Sequence, residues 1–281
     1  MFKYRFLHIW LIGLIFLSSI IQNNQLLAQQ VNMSFEHYTS IDGLPNETIH
    51  DIYQDSKGFL WFCTDNGLCK FDGYNFTPIQ TSKNDINSIN FSRPTKIIED
   101  NHKRLWIATN EGLAVYNLIT EQFIDIKNNR QEITPSHHIA IIDLLYDKNH
   151  NLWIATHNKL FKLSTSELDK IDLKNIKYKS YGKVNADNNT LSTNNIFSLL
   201  EDSKGEMWVG TNDGRINCYD PAKDRFTSLE IDIPEFKNSE TFYRFYEENA
   251  DGLWLMTWGK GLVYWNRQSN IFSQYKYIPN Q

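Results

Sequence analysis

The chain is poor in cysteine, and its few cysteines show no pattern of a metal site. It has 281 residues and three cysteines, Cys63, Cys69 and Cys218, an odd count without paired metal-ligand spacing. A disulfide framework is therefore not expected. Cys63 falls at a position that other copies of the repeat described below fill with alanine or glycine, so we expect it to be a small buried residue.

The chain also has no excess of positive charge and no familiar catalytic motif. Its formal net charge is −5, whereas a nucleic-acid-binding domain normally presents a basic face. The sequence contains no phosphate-binding loop, no His-Glu-x-x-His, no Gly-x-Ser-x-Gly and no Cys-x-x-Cys. We therefore expect no nucleic-acid binding, no cofactor, no metal and no catalytic residue.

One long uncharged apolar stretch lies at the N-terminus. Lys3 and Arg5 precede the apolar residues 6–21, and the small residue Ala28 follows. This order predicts a secretory signal peptide over residues 1–28 and an exported, periplasmic chain of residues 29–281. An uncleaved signal anchor is the alternative, although the apolar stretch is short for a membrane span of about 20 residues.

A phased tryptophan dominates the rest of the chain. In five copies, an acidic residue is followed after five residues by tryptophan, an apolar residue, any residue and threonine. The tryptophans are Trp61, Trp106, Trp153, Trp208 and Trp254, and the acids are Asp55, Asp100, Asp147, Asp202 and Glu248. The copies span about 41–80, 90–127, 138–181, 194–230 and 240–278. A repeat of about 40–50 residues built from short strands is typical of a propeller blade. Because every copy has one, we expect these tryptophans to pack between neighbouring blades rather than to stack on a ligand.

Each copy contains four short strand signals, A to D, separated by turns rich in Asp, Asn and Gly. We therefore predict an all-β propeller of four-stranded blades, with five blades in the chain. The Asp-rich turns lack the spacing of a calcium loop, and we interpret them as turn chemistry. Residues 35–38 match the D-strand phrase of copy five. That match predicts one extra outer strand and hence an incomplete part of a larger ring.

Binding residues are expected where the framework stops repeating. In a propeller, the connections from strand D to the next strand A and the B–C hairpins emerge on one face, and here they vary between copies. Sugars suit an aromatic side chain beside amides and guanidinium groups. The candidate ligand-binding residues are Trp258, Lys260, Tyr243, Arg244, Arg93, Asn194 and His157. For Trp258, which is out of phase with the repeat, the alternative is a loop aromatic that covers its blade edge.

Several phrases resemble a known repeat. These are Asp42-Gly-Leu-Pro-Asn46, Asp55-Ser-Lys-Gly-Phe-Leu-Trp61, Thr64-Asp-Asn-Gly-Leu68 and Phe71-Asp-Gly-Tyr-Asn-Phe76. They resemble the regulator-propeller repeat, which forms the periplasmic sensor of hybrid two-component histidine kinases in Bacteroidetes. The resemblance covers residues 35 to about 277. It implies a seven-bladed ring and a non-catalytic role in sensing glycan fragments. It also implies partners: a glycan ligand, and further propeller or sensor domains or a dimer partner.

In that family, two propellers and a small β-sandwich precede a membrane helix, a histidine kinase, a receiver and a DNA-binding module. No kinase or receiver sequence is present in these 281 residues, so we expect the first part of such a sensor or a free-standing relative. The residues alone leave two other functions open. One is an exported propeller enzyme that acts on polysaccharide as a lyase or glycoside hydrolase, and the other is a protein-docking propeller.

Overall fold

The computed structural model describes residues 34–79, 93–124, 126, 139–170, 173, 176–184, 190–234 and 242–276. The chain divides into residues 1–37, of which 34–37 are described, and residues 38–281, which contain every described strand. The predicted signal peptide of residues 1–28 lies outside the described residues. In the part that is described, no helix is long and apolar enough to cross a bilayer.

Five antiparallel sheets of four strands follow one another along the chain, which confirms the predicted all-β propeller of four-stranded blades. Blade 1 contains β1 (Ile49–Gln54), β2 (Leu60–Thr64), β3 (Gly67–Phe71) and β4 (Phe76–Pro78). Blade 2 contains β5 (Pro94–Glu99), β6 (Arg104–Thr109), β7 (Gly112–Asn117) and β8 (Gln122–Ile124). Blade 3 contains β9 (Ile141–Tyr146), β10 (Leu152–Thr156), β11 (Leu160–Leu163) and β12 (Lys179–Tyr181). Blade 4 contains β13 (Ile196–Glu201), β14 (Met207–Thr211), β15 (Arg215–Asp220) and β16 (Arg225–Glu230). Blade 5 contains β17 (Phe242–Asn249), β18 (Gly252–Thr257), β19 (Leu262–Asn266) and β20 (Ile271–Tyr275).

Two short helical segments accompany the strands. A 3-10 turn covers Ser40–Asp42 and is closed by a capping box from Thr39. A one-turn helix, α1 (Thr165–Leu168), lies between β11 and β12 and buries Leu168. The guanidinium of Arg104 in blade 2 donates to the Leu168 carbonyl at 2.6 Å, so α1 ties blade 3 to blade 2.

The burial of each strand explains its sequence. The second strand of blade 3, β10, reads Leu-Trp-Ile-Ala-Thr and is buried at every position. A strand covered on both faces by neighbouring sheets has no solvent side, so it reads as an apolar run rather than as an alternation. The outer strand β20 instead alternates between exposed and partly buried residues.

The repeated tryptophans pack between consecutive blades. Trp153 of blade 3 lies in one apolar cluster with Ile196, Val209 and Phe226 of blade 4. The corresponding clusters join Trp61 to Ile97 and Leu105, Trp106 to Ile141 and Leu152, and Trp208 to Leu253 and Leu255. Each of these rings is buried. Non-polar burial between sheets is therefore the main contact that holds one blade to the next.

At three of these four junctions, a hydrogen bond from a turn amide to a glutamate accompanies the apolar contact. In blade 1, the turn after Asp55 places the Ser56 N–H 2.7 Å from Oε2 of Glu99, at the end of β5 in blade 2. The same contact recurs from the Lys148 N–H to Glu201 and from the Ser203 N–H to Glu247, both at 2.8 Å. Because the donor is a turn amide and the acceptor is charged, these bonds fix the position of each turn on the next blade.

The predicted extra outer strand is not formed. Residues 34–39 have no strand conformation, and the Tyr38 ring packs edge-on against Phe71 and Phe76, with centroid distances of 5.4 and 5.5 Å. An outer strand needs a strand C to pair with, and each of the five described sheets already has its fourth strand. The predicted strand at residues 35–38 is therefore wrong for the described chain, whereas the larger ring stays a prediction.

Candidate ligand-binding site

In four blades the repeated acid accepts a hydrogen bond from the repeated tryptophan. The indole Nε1 of Trp61, Trp106, Trp153 and Trp208 donates to Oδ2 of Asp55, Asp100, Asp147 and Asp202 at 2.8, 2.7, 2.7 and 2.8 Å. The other oxygen accepts amides of the A–B turn, as Asp55 Oδ1 does from Lys57 and Phe59 at 2.9 and 3.0 Å. One carboxylate thus orients both the turn and the ring, which places these residues in the framework of each blade.

Blade 5 departs from this arrangement. Strand β17 continues through Glu248 to Asn249, which pairs with Gly252 after a register shift. The turn is then closed by Asn249, whose Oδ1 accepts from the Asp251 N–H at 3.0 Å. Glu248 is exposed, so it does not fill the role of the aspartate in the other copies, and Trp254 is only partly buried. The longer strand moves the acid out of the turn.

One group of loop residues lies at the junction of blades 1 and 2. The Asp65 carboxylate accepts from Nε of the predicted site residue Arg93 at 2.9 Å and lies 2.7 Å from Nε2 of His50. The hydrogen bond from His50, together with that from Arg93, lowers the pKa of Asp65. Arg93 adopts φ = 57° and is exposed. These contacts hold the B–C hairpin of blade 1 against the start of blade 2.

Two further candidates lie between blades 3 and 4. The imidazole Nδ1 of His157 is 2.7 Å from Oδ1 of Asn195, and the ring stands edge-on to Phe197. The Asn194 carboxamide oxygen accepts from the Lys183 N–H at 2.5 Å. Both predicted residues therefore make contacts that order loops.

The last candidates lie in blade 5. Trp258 is 76% exposed at the tip of the B–C hairpin. The Lys260 carbonyl accepts from Gln274 at 2.9 Å. Gly261 has φ = 81°, and a Cβ there would lie 2.1 Å from the Tyr275 carbonyl oxygen, so this unusual hairpin requires glycine. Tyr243 lies in β17, and its side chain is outside the described residues.

These contacts group the seven predicted residues by blade rather than in one pocket. Among those whose side chains are described, Arg244 alone lines the cavity between the five first strands. Strands β1, β5, β9, β13 and β17 lie side by side in this order. The cavity between them has a volume of about 390 Å³, within the usual range of about 300–1,000 Å³ for small-molecule sites. We call it the channel.

A ring of polar side chains occupies one equivalent position in the five first strands. Its members are Asp51, Lys96, Asp143, Ser198 and Arg244, and we call this set the polar ring. In every blade, a β-bulge precedes the ring residue, since its neighbour is an extra residue without a partner in the register. Bulges turn a side chain away from its normal direction and are frequent beside binding sites.

Four of these five ring residues were missed by the sequence analysis. The sequence signal for these residues is their constant spacing from the repeated tryptophan. Each ring residue lies ten positions before the tryptophan of its own copy. The flanking positions are mostly apolar, as with Ile97, Leu144 and Phe245. A polar residue that recurs at one phase in otherwise apolar strands marks the position.

The two acids of the polar ring each accept a backbone N–H of the next blade. Asp51 Oδ2 accepts from the Ile97 N–H at 3.0 Å, and Asp143 Oδ2 accepts from the Leu199 N–H at 2.8 Å. Lys96 Nζ lies 3.9 Å from Asp51 Oδ1. Burial raises the pKa of Asp143, although the nearby charges of Lys96 and Arg244 and two backbone N–H groups act in the opposite direction.

This arrangement is suited to binding. Four members of the polar ring, Lys96, Asp143, Ser198 and Arg244, line the channel, whose other lining includes Tyr53 and Tyr146. Within the described ranges, no group of three His, Cys, Asp or Glu side chains is placed to hold a metal ion.

Comparison with known proteins agrees with the repeat. The model of the family described as "Two component regulator propeller" matches residues 43–66 and 190–213, each of which spans strands A and B of one blade. These two segments match the two-component regulator propeller repeat. Histidine kinase P4 of Formosa agariphila is 44% identical over 64 residues, which is 23% of this chain and 5% of that protein.

Solved structures share the propeller fold. The extracellular domain of a hybrid two-component system from B. thetaiotaomicron superimposes with a TM-score of 0.68 and 22% identity, over 85% of this chain and 31% of that one. Virginiamycin B lyase from Staphylococcus aureus gives a TM-score of 0.60 and 12% identity, over 85% and 72%. At these identities the likeness shows the fold alone. The chain spans about a third of the first of these structures and a small part of the curated kinase.

Proposed function

We propose that this chain is a non-catalytic, ligand-sensing propeller of a two-component signalling system and that it responds to glycan fragments. The observation that carries the proposal is the polar ring, set in a channel of about 390 Å³ on a scaffold of regulator propeller repeats. The framework residues repeat from blade to blade, whereas the polar-ring position differs. Residues that build the scaffold are thus separate from those proposed to bind the ligand. Ring residues that differ between blades give an asymmetric set of donors and acceptors, which suits a ligand with many hydroxyl groups.

Periplasmic location is part of the proposal. It is supported by the signal-peptide pattern of residues 1–28 and by the resemblance to an extracellular domain. Expression in a Gram-negative host, followed by osmotic shock and N-terminal sequencing, tests it. We expect the chain in the shock fluid with Gln29 as its first residue. A chain that stays with the membrane and keeps residues 1–28 would support the uncleaved anchor instead.

We further propose that another propeller or sensor segment packs on the free face of blade 5. In blades 1 to 4, the residue eight positions before the tryptophan packs on the next blade, as Leu145 and Leu200 do. At this position blade 5 has Tyr246, which is 58% exposed, and Leu262 and Tyr275 on the same blade are also exposed. An apolar blade face of this kind is normally covered in a soluble protein.

The central experiment separates binding from turnover. The purified chain is incubated with a panel of oligosaccharides and polysaccharides, and both thermal stabilisation and the release of new reducing or unsaturated ends are measured. We expect at least one oligosaccharide to raise Tm without any cleavage. Release of new ends would favour the lyase or hydrolase alternative, and the absence of any stabilisation across the panel would contradict glycan sensing.

The same assay with polar-ring variants locates the site. Ser198→Ala removes the ring hydroxyl from the channel, whereas Ser269→Ala removes a hydroxyl from an exposed turn of blade 5. We expect the first variant to reduce ligand-induced stabilisation and the second to leave it unchanged. Equal ligand-induced stabilisation of the two variants would indicate that the site lies outside the channel.

A further inference from the structure

The polar ring contains groups that the fold itself does not use. Arg244 lines the channel and is exposed, and among the described residues its guanidinium has no hydrogen-bonded or ion-paired partner. Ser198 is 3% exposed and lines the same channel, and its hydroxyl has no hydrogen bond within the described ranges. A guanidinium has five donors and no acceptor. Its free donors therefore face the channel.

The two acids of the polar ring already accept hydrogen bonds from the backbone. Each oxygen of Asp143 accepts one backbone N–H, from Leu199 at 2.8 Å and from Leu144 at 3.0 Å. Asp51 accepts from the Ile97 N–H and faces Lys96. Asp51 and Asp143 thus each accept one backbone N–H of the next blade. The donors left unused at the channel consequently belong to cations, because the Arg244 guanidinium has no hydrogen-bonded partner among the described residues and Lys96 Nζ lies 3.9 Å from Asp51.

Two other acids in the channel lining are likewise engaged. Glu99 accepts from the Ser56 N–H, and Glu201 accepts from the Lys148 N–H at 2.8 Å. Both are held at the turns between blades. Among the described lining residues, the Arg244 guanidinium therefore keeps its donors unused, although its charge lies near that of Asp143.

We propose that the channel recognises the carboxylate of an acidic sugar, with Arg244 as the bidentate donor, Lys96 as the second charge and the Ser198 hydroxyl on the sugar ring. This inference rests on the proposed function, since it takes the channel as the ligand site. A planar guanidinium matches a planar carboxylate with two parallel N–H···O bonds. A neutral sugar offers the guanidinium hydroxyl acceptors but no charged, planar partner.

The probe is uronic acid itself. Binding of glucuronate and galacturonate to the full chain is measured by NMR titration and calorimetry, beside glucose, galactose and glucose 6-sulfate. We expect saturable binding of at least one uronate, with glucose and galactose at least about tenfold weaker. Tenfold corresponds to about 1.4 kcal/mol, which a charge-assisted hydrogen bond supplies. Stronger binding of the sulfated sugar than of both uronates would overturn the carboxylate assignment.

Three variants assign the contact. Arg244→Gln should weaken uronate binding at least about tenfold while leaving binding of a neutral sugar unchanged. Arg244→Lys keeps the positive charge but loses the bidentate geometry of the guanidinium. Its uronate affinity should therefore lie between those of the original chain and Arg244→Gln. Arg225→Gln, on an exposed position of the outer strand β16, is the matched control and should bind as the original chain does. Thermal melts establish that each variant is folded.

The outcomes distinguish this inference from the proposed function. If neutral oligosaccharides stabilise the chain and Arg244→Gln has no effect on any sugar, the sensor proposal stands and the acidic-sugar inference fails. If neither uronate gives a saturable response, or if glucose binds as tightly as glucuronate, the inference fails as well. If no carbohydrate of either charge binds, both fail.

Discussion

Replacing Asp100 by asparagine tests whether the repeated acid also serves as the counterion of a buried charge. Asp100 Oδ1 accepts from the N–H groups of His102 and Arg104 at 2.9 and 3.0 Å. Its Oδ2 accepts from Trp106 Nε1 and from Arg104 Nε, both at 2.7 Å. The side chains of Arg104 and Asp100 are 6% and 0% exposed. Asparagine keeps one acceptor for the turn, but its NH₂ group then faces two donors.

The magnitude follows from what each donor loses. An unsatisfied buried indole N–H costs about 1–3 kcal/mol, and a buried charge that loses its partner costs about 3–5 kcal/mol. We therefore expect Asp100→Asn to lower the free energy of unfolding by at least about 4 kcal/mol. The equivalent Asp55→Asn in blade 1 should cost about 1–3 kcal/mol, because Asp55 accepts from Trp61 and turn amides but from no arginine.

Urea unfolding of a double-mutant cycle provides the measurement. The cycle contains the original chain, Asp100→Asn, Arg104→Met and the variant with both changes. We expect Arg104→Met to recover about 2 kcal/mol or more in the Asp100→Asn background, because it removes the charge that lacks a counterion. In the original background the same change should be destabilising, since it leaves the Asp100 carboxylate with fewer donors.

Two results would refute this reasoning. One is an Asp100→Asn variant that is no less stable than Asp55→Asn. The other is an Arg104→Met change that destabilises the Asp100→Asn chain further. Either would mean that Arg104 is stabilised elsewhere, for example by the Leu168 carbonyl to which it donates at 2.6 Å.

Three further predictions concern packing, thiols and pH. Trp153→Ala should cost about 3–5 kcal/mol in urea unfolding because the ring is fully buried between two blades, and Trp254→Ala should cost less than half as much because that ring is partly exposed. Burial raises the pKa of the Cys63 thiol and that of Cys69, the latter to about 11, so a thiol reagent should label both rapidly only in denaturant. Burial also raises the pKa of Asp143, so the folded chain holds that proton more tightly than the unfolded chain, whose aspartate pKa is about 3.9. Relative to Asp143→Asn, the original chain should be most stable below about pH 4 and lose stability as pH rises through the folded pKa, which thermal melts at successive pH values measure.

Each of these has a contrary result. Equal costs for the two tryptophan variants would show that burial against a following blade does not set the cost of removing the ring. Rapid labelling of the native chain would show that the two thiols are reached by solvent through local opening. A stability difference between the chain and Asp143→Asn that grows in favour of the original chain as pH rises would mean that the positive charges near Asp143 outweigh its burial.

The sequence alone predicted the framework of this protein. Trp153 and Asp147, for example, are only six residues apart and bond to each other within one hairpin. Contacts of such short range recur in four of the five copies, so their period reveals the number of blades in this chain, the order of strands and the turns. The same logic failed for Glu248, because its surroundings depend on how far β17 extends rather than on the local phrase.

The extra strand at residues 35–38 failed for a related reason. A D-strand phrase shows only that a segment is able to pair, whereas pairing needs a free strand C within reach. In the structure Tyr38 packs on the rings of Phe71 and Phe76 instead.

The candidate site was determined by tertiary structure. The phase of Lys96, Asp143 and Arg244 is visible in the sequence, but the phase does not show that they meet. The bulges turn these side chains, and the side-by-side placement of five strands brings residues some fifty positions apart to one channel. Whether an arginine is paired or free depends on every group around that channel, and these groups are contributed by separate blades. A local pattern therefore predicts the blade, whereas the charge balance of the channel arises only when the blades pack together.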